Sequence, residues 1–334
     1  MNSNPVLLMG GSGAIGHQTV RAMRKIHPDV PFLIGGRDLG KARKAAAEMG
    51  GAEGVALDLK APDLGLGERP VSAVVVLYMD HSLAGLRFAQ ARGIAHLSIS
   101  SGVFEIAPEI AAVMHRPGAA PVVLGYEWLV GATTVPTLEL AKAFARVDSI
   151  RIGALVDEQD AGGPAVAADF EHLNKLMPQA LSRRDGAFFW REGDEAKRVF
   201  QAIDGSEVEA TGFSSIDVVG LAAATGAEDV QFDLAMGVSS SRRAGGAFST
   251  EIVIELAGQD HAGNAIRTRH AVMHPGGAAE LTGMSIALLI ERLTGLDGEP
   301  PTAPGLYFPY QLLDAGRYLS RLEHDGGMVI ALEP

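Results

Sequence analysis

The chain has 334 residues, 47% of them hydrophobic and 20% charged, with a formal net charge of −12. That length allows two domains with sizeable cores, and that charge argues against nucleic acid or an anionic membrane as partner of the whole surface. There is no cysteine, which excludes disulfides, thiolate catalysis and cysteine-ligated zinc or iron–sulfur sites, and fits a reducing cytoplasm.

Pro5-Val6-Leu7-Leu8-Met9 reads as a short buried strand, and Gly10-Gly11-Ser12-Gly13-Ala14-Ile15-Gly16 follows it directly. Gly11, Gly13 and Gly16 match G-x-G-x-x-G between a strand and a helical pattern, the context that the motif requires. The first glycine permits the turn, the second lets backbone approach a pyrophosphate, and the third lets helix pack on strand. The helix N-terminus then presents N–H groups and a positive dipole end to phosphates. Gly11, Ser12, Gly13, Ala14, Ile15 and Gly16 are therefore expected to cradle a dinucleotide.

Ile15, Thr19, Ala22, Met23 and Ile26 continue at helical spacing up to Pro28. Phe32-Leu33-Ile34 is a second strand, and Leu39 to Met49 a second amphipathic helix. Strands are expected at Val55 to Leu59, Val71 to Tyr78, Ile94 to Ile99 and Val122 to Leu124, with helices at His81 to Arg92 and around Ile106 to Met114. The run at Val71 is almost wholly apolar, as in a strand covered on both faces. Alternating short strands and helices predict a Rossmann-type doubly wound parallel sheet with right-handed crossovers and its ligand at the carboxyl ends of the strands.

The texture then changes. Ser149 to Val156 reads as a strand, and Glu251 to Leu256 and Ala265 to Met273 as an antiparallel hairpin with one wet face. Helices are expected at Gly276 to Leu293 and Pro309 to Leu322. The fold class is thus α/β, with a second α+β domain built on a mainly antiparallel sheet. The expected division is residues 1–130, with 305–334 returning to the first domain, and residues 131–304 as a substrate and dimerisation domain. No leader segment is visible, and no apolar run approaches the roughly 20 residues of a membrane helix. The expectation is a soluble cytoplasmic protein.

The stretch GGSGAIG through GGRD, the segments SISSGVFEIAPEI and VVLGYEWLVGATTVPTLELA, and the closing HPGGAAELTGMSIALLIERL and PGLYFPYQLL together resemble the saccharopine dehydrogenase-like oxidoreductases. The order of segments, over nearly the whole chain, carries the resemblance. One departure is Gly125-Tyr126-Glu127-Trp128, where the family's loop carries Gly and Pro. The resemblance implies a pyridine-nucleotide oxidoreductase acting at a carbon–nitrogen bond of an amino-acid-like substrate, by imine reduction or amine oxidation, and a homodimer.

Cofactor choice is read at Gly35-Gly36-Arg37-Asp38. NAD-type sites hold Asp or Glu at the end of the second strand. Here Arg37 follows two glycines and could pair with a 2′-phosphate. NADP(H) is expected, with NAD(H) left open and Asp38 either reaching the ribose or capping the next helix. Asp58, Leu77, Tyr78 and Ser100, at or near strand ends, complete the expected cofactor contacts, with Ser98 close by. Tyr126, Glu127 and His81 are candidates for proton transfer, and Trp128, Arg242 and Arg243 for substrate contact. Packing roles for Trp128 and Tyr126, and a solvated loop for Arg242 and Arg243, are the alternatives. Asp80 reads more readily as a helix cap. Arg267 and Arg269 are expected to pair across the hairpin with Glu251 and Glu255. No H-E-x-x-H is present, so no metal site is expected. None of the five tyrosines has a lysine four residues on, which disfavours a short-chain dehydrogenase. A non-catalytic NAD(P)-binding sensor is the rival reading.

Overall fold

A computed structural model describes residues 4–99, 106–160, 171, 175 and 178–333. The chain divides into two compact units, one formed by residues up to Tyr126 with Thr282–Leu313, the other by Glu127–Leu281 with the segment from Asp314 onward.

The first unit is built on seven parallel strands: β1 (Val6–Met9), β2 (Phe32–Gly36), β3 (Ala52–Ala56), β4 (Ala73–Val76), β5 (Ala95–Ser98), β6 (Pro121–Leu124) and Gly305–Tyr307. Their order across the sheet is β3-β2-β1-β4-β5-β6, with Gly305–Tyr307 on the outer edge of β6. Strand order reverses at β1, which pairs with both β2 and β4, so the switch point lies at the end of β1. All four residues of β1, β4 and β6 are buried, as parallel strands with both faces covered require. Helices α1 (Ala14–Ile26), α2 (Leu39–Met49), α3 (Ala84–Arg92) and α4 (Ala107–His115) connect them. Asp58 lies two residues beyond β3, in a turn where its carboxylate accepts from Lys60 N at 2.9 Å. The strand expected at Val55 to Leu59 therefore lies three residues earlier, at Ala52–Ala56.

The second unit holds a mixed nine-stranded sheet. Strands β7 (Phe144–Asp157), β8 (Ala180–Arg184), β9 (Ala187–Arg191), β10 (Lys197–Gln201), β11 (Glu207–Gly212), β12 (Asp229–Gly237), β13 (Thr250–Asp260) and β14 (Ala265–His274) precede a closing strand, Met328–Leu332. The main path is β10-β11-β12-β7-β13-β14 and then the closing strand. Only β12 and β7 pair in parallel; the other pairings are antiparallel. One face is apolar: Ile150, Ile152 and Ala154 lie beside Ile252, Ile254, Val230 and Phe232, all buried. The opposite face carries charged residues.

The closing segment divides between the units, where an undivided return of 305–334 was expected. Gly305–Tyr307 pairs with β6, whereas Met328–Leu332 pairs antiparallel with β14. The helix expected over Pro309 to Leu322 breaks at the same place. Leu313 is extended, and Asp314 caps a new helix, Ala315–His324, by accepting from Arg317 N at 2.8 Å. Strands β8 to β12 were not foreseen. No helix among the described residues is long and apolar enough to cross a membrane.

Candidate functional site

The glycine turn shows which of its glycines the protein itself requires. Gly10 has φ +79°, a conformation that L side chains rarely adopt. A Cβ on Gly11 would come within 2.8 Å of Leu8 Cβ, and one on Gly16 within 2.1 Å of the Gly11 carbonyl oxygen. Gly13 differs. Its backbone is extended, and a Cβ there would meet nothing nearer than the Gly10 oxygen at 3.7 Å. Among the described residues, neither backbone nor packing demands glycine at Gly13, and the space in front of it is open. The first bond of α1 runs from His17 N to the Gly13 oxygen at 3.1 Å. The N–H groups of Ala14, Ile15 and Gly16 precede it, no side chain caps the helix, and its first turn has no acidic residue. Ser12, Gly13 and Ala14 are exposed. This is an open anion cradle at the switch point, and it fits a dinucleotide pyrophosphate.

At the end of β2, Gly36 presents no side chain and Arg37 is exposed, with no ion-pair or hydrogen-bond partner among the described residues. Asp38 caps α2, its carboxylate accepting from Lys41 N at 3.0 Å. Leu77 continues β4, its N–H donating to the Met9 oxygen at 2.9 Å. The Tyr78 ring stands against the glycine turn, 2.8 Å from where a Gly10 Cβ would lie. Burial first, and then the charge of Asp80, push the Tyr78 phenol up to about 12, while Arg37 opposes them. Ser100 lies outside the described residues.

A cavity of about 260 Å³ opens at the carboxyl ends of β4, β5 and β6, lined among others by Tyr78, Asp80, His81, Ser98, Glu109 and Tyr126. Its wall holds a linked trio. The Tyr126 hydroxyl lies 2.5 Å from Glu109 Oε2 and 2.7 Å from Ser98 Oγ, and Ser98 Oγ donates to Glu109 Oε2 at 2.9 Å. Burial raises the Glu109 carboxyl above its ordinary range, although the bonds from Tyr126 and Ser98 oppose the shift. Asp80 accepts from Ser82 N and Gly85 N at the start of α3, the capping role expected of it. His96, behind the cavity on β5, is held neutral, its pKa lowered to about 4 by burial. Two carboxylates and no Lys or Arg are among the described residues lining the cavity.

The structure thus brings Tyr126 and His81 to one cavity. Glu127 and Trp128 belong to the second unit. Glu127 is 3% exposed and accepts from Thr134 Oγ1 at 2.7 Å. Trp128 packs within the second unit, the alternative weighed for it, its ring centroid 5.5 Å from those of Phe213 and Phe232. Arg242 pairs with Asp157 at 3.3 Å and Glu158 at 2.5 Å, and Arg243 with Asp204 at 2.6 Å. Both arginines are therefore engaged within the chain, where a substrate carboxylate was expected. Arg269 pairs with Glu255 at 3.4 Å as anticipated. Glu251 does not pair with Arg267; it is buried and accepts from Ser240 N and Oγ. No group of His, Asp and Glu among the described residues could hold a metal ion.

Glu109 is the site residue that the sequence reading missed. It lies four residues before Val113, and both are buried on α4. An acidic residue on the inward stripe of an amphipathic helix is the signal that could have found it.

No family model and no curated protein matches the chain. Among solved structures, it is similar to an apo saccharopine dehydrogenase (L-Glu forming) from Saccharomyces cerevisiae, with a TM-score of 0.64 and 14% identity, covering 99% of this chain and 100% of that one. The fold is saccharopine dehydrogenase-like. A homospermidine synthase from Legionella pneumophila, solved in complex with NAD, shares it with a TM-score of 0.67 and 11% identity, covering 99% of this chain and 92% of that one.

Proposed function

We propose that the protein is an NAD(P)-dependent oxidoreductase, preferring NADP(H), that acts at a carbon–nitrogen bond of an amine- or amino-acid-like substrate. The observation that carries this reading is an open glycine cradle together with the hydrogen-bonded Glu109, Tyr126 and Ser98 in a cavity of the same unit. The fold shared with a saccharopine dehydrogenase and an NAD-bound homospermidine synthase supports it.

The backbone N–H groups of Ala14 and Ile15 would hold the pyrophosphate, and the guanidinium of Arg37 the 2′-phosphate. The bound nicotinamide supplies or accepts the hydride. The chain's own residues do the rest. With Asp80 in its wall and no lysine or arginine among the described lining residues, the cavity favours a cationic nitrogen over a carboxylate. Forming an imine requires a proton for the departing hydroxyl of the carbinolamine, and hydrolysing one requires a proton to be taken from the attacking water. Glu109 is the residue placed to supply such a proton, since burial shifts its carboxyl toward the protonated form. Tyr126, 2.5 Å away, shares it and carries it to the cavity surface. Ser98 fixes the orientation of both.

Calorimetry with NADPH and NADH tests cofactor choice. The wild type should bind NADPH more tightly, and Arg37→Glu should weaken NADPH about 100-fold while leaving NADH within a few-fold, since a charge-assisted pair is lost and a repulsion gained. Unchanged selectivity would remove Arg37 from the reading. NADPH binding with no consumption across a panel of oxo compounds and amines would defeat the enzymatic reading.

A further inference from the structure

The charged face of the second unit's sheet carries a cavity that the proposed reaction does not use. Strand register creates it. Arg151 on β7 stands opposite Glu255 on β13, which stands opposite Arg269 on β14. In the adjacent row, Ser149, Ala257 and Arg267 stand opposite one another. Directly paired residues share a face, and so do residues two apart, so all six project to one side. They surround a cavity of about 160 Å³.

Its charge is unbalanced. Arg269 is buried and fixed, paired with Glu255 at 3.4 Å and donating to the carbonyl oxygen of Gln201. That pair uses the one carboxylate in the cavity wall. Arg151 and Arg267 are exposed, and neither has an ion-pair or hydrogen-bond partner among the described residues. Asp233, which feels the charge of Arg151, is already paired with Arg191 at 2.8 Å. Other arginines of this unit find carboxylates: Arg146 pairs with Asp148, Arg242 with Asp157 and Glu158, and Arg243 with Asp204. In a chain of net charge −12, three arginines around one glutamate leave a local excess of positive charge that suits an anion.

We propose that this cavity binds a phosphate dianion, as inorganic phosphate or a phosphomonoester. Guanidinium forks match phosphate oxygens bidentately. A tetrahedral dianion can engage Arg151 and Arg267 from two sides and take a third contact from Ser149 or Arg269. The site lies in the second unit and is independent of the glycine cradle.

The test is a titration of the full chain with inorganic phosphate at constant ionic strength. It is followed by calorimetry and by the arginine Nε–H signals, in the wild type and in the double variant Arg151→Gln/Arg267→Gln. Both side chains are exposed and unpaired, so the variant should melt as the wild type does. Any phosphate taken by the glycine cradle would be unaffected by the double variant, so only the phase that the variant loses is read. The expected result is a saturable phase with Kd below about 1 mM, weakened at least about tenfold in the variant, with the signals of Arg151, Arg267 and Arg269 moving together. Tighter binding of glycerol phosphate than of inorganic phosphate would identify the ester as ligand; equal or weaker binding would identify the free ion. The same signal shifts with chloride, no saturable phase, or an identical phase in the variant would each overturn the site. So would a halved solution mass of the variant without phosphate binding in the wild type, which would assign the arginines to contact between copies.

Discussion

The arginine pairs of the second unit and the strand ends of the first treat charge in opposite ways. In the second, these arginines are matched by aspartates. Arg191, 1% exposed, donates to Asp233 at 2.8 Å, to Ser182 Oγ and to the Phe232 oxygen, and Arg242 and Arg243 are bound to aspartates. In the first, the groups at the strand ends are left short of partners. Among the described residues Arg37 has no ion-pair partner, no side chain caps the α1 N-terminus, and Glu109 is buried with two hydroxyls and no cation. Charges that satisfy each other hold a fold. Charges and dipoles left open or perturbed at a strand end await a ligand.

The largest effect should come from breaking the self-satisfied region. Arg191→Ala leaves Asp233 buried without its main partner, and should cost about 3–5 kcal/mol of stability, measured by chemical denaturation. A loss below about 1 kcal/mol would mean that Asp233 takes up a proton or finds Arg198, 3.9 Å away, at little cost.

Breaking the open region should spare the fold and cost activity. Glu109→Gln keeps an acceptor for Tyr126 but loses the proton. With a substrate found, kcat should fall about 100-fold or more. In the wild type, the proton on Glu109 is lost as pH rises through its raised pKa, so the rate of the acid-dependent step should decline toward high pH. The variant should lack that limb. An unchanged pH profile would confine Glu109 to orienting Tyr126.

A smaller effect sharpens the contrast within the second unit. Asp217 is fully buried, accepts from Trp128 N at 2.7 Å and from Ser215, and is pushed up to about 6 chiefly by burial. Between its unfolded value and about 6, the folded state keeps a proton that the unfolded state releases. The slope of stability with pH is therefore negative in that window. The wild type should lose stability relative to Asp217→Asn as pH rises from 4 to 7, and parallel melting curves would contradict this.

Much of the first unit was legible because its signals are local. The glycine turn is contiguous with β1, and strands such as Ala73–Val76 are apolar on both faces. Glu109 was hidden because its role depends on Tyr126, a contact between separate elements that spacing along one helix does not reveal. Arg242 looked free in its Ser/Gly loop because Asp157 and Glu158 are more than eighty residues away in the chain. Strands β8 to β11 are short and partly wet, with residues such as Glu207 and Glu209 exposed, so neither an apolar run nor a clean alternation marked them. The break at Asp314 was missed because a capping aspartate inside a helical pattern looks like a surface residue.

The most direct test of the central claim is NADPH calorimetry on the wild type and on Gly13→Ala. The protein offers a Cβ at Gly13 nothing closer than 3.7 Å, so melting should change by less than about 1 kcal/mol. NADPH affinity should fall at least about tenfold, because the methyl group occupies the space left for the pyrophosphate. Equal NADPH affinity in both proteins, or no binding by either, would contradict the account.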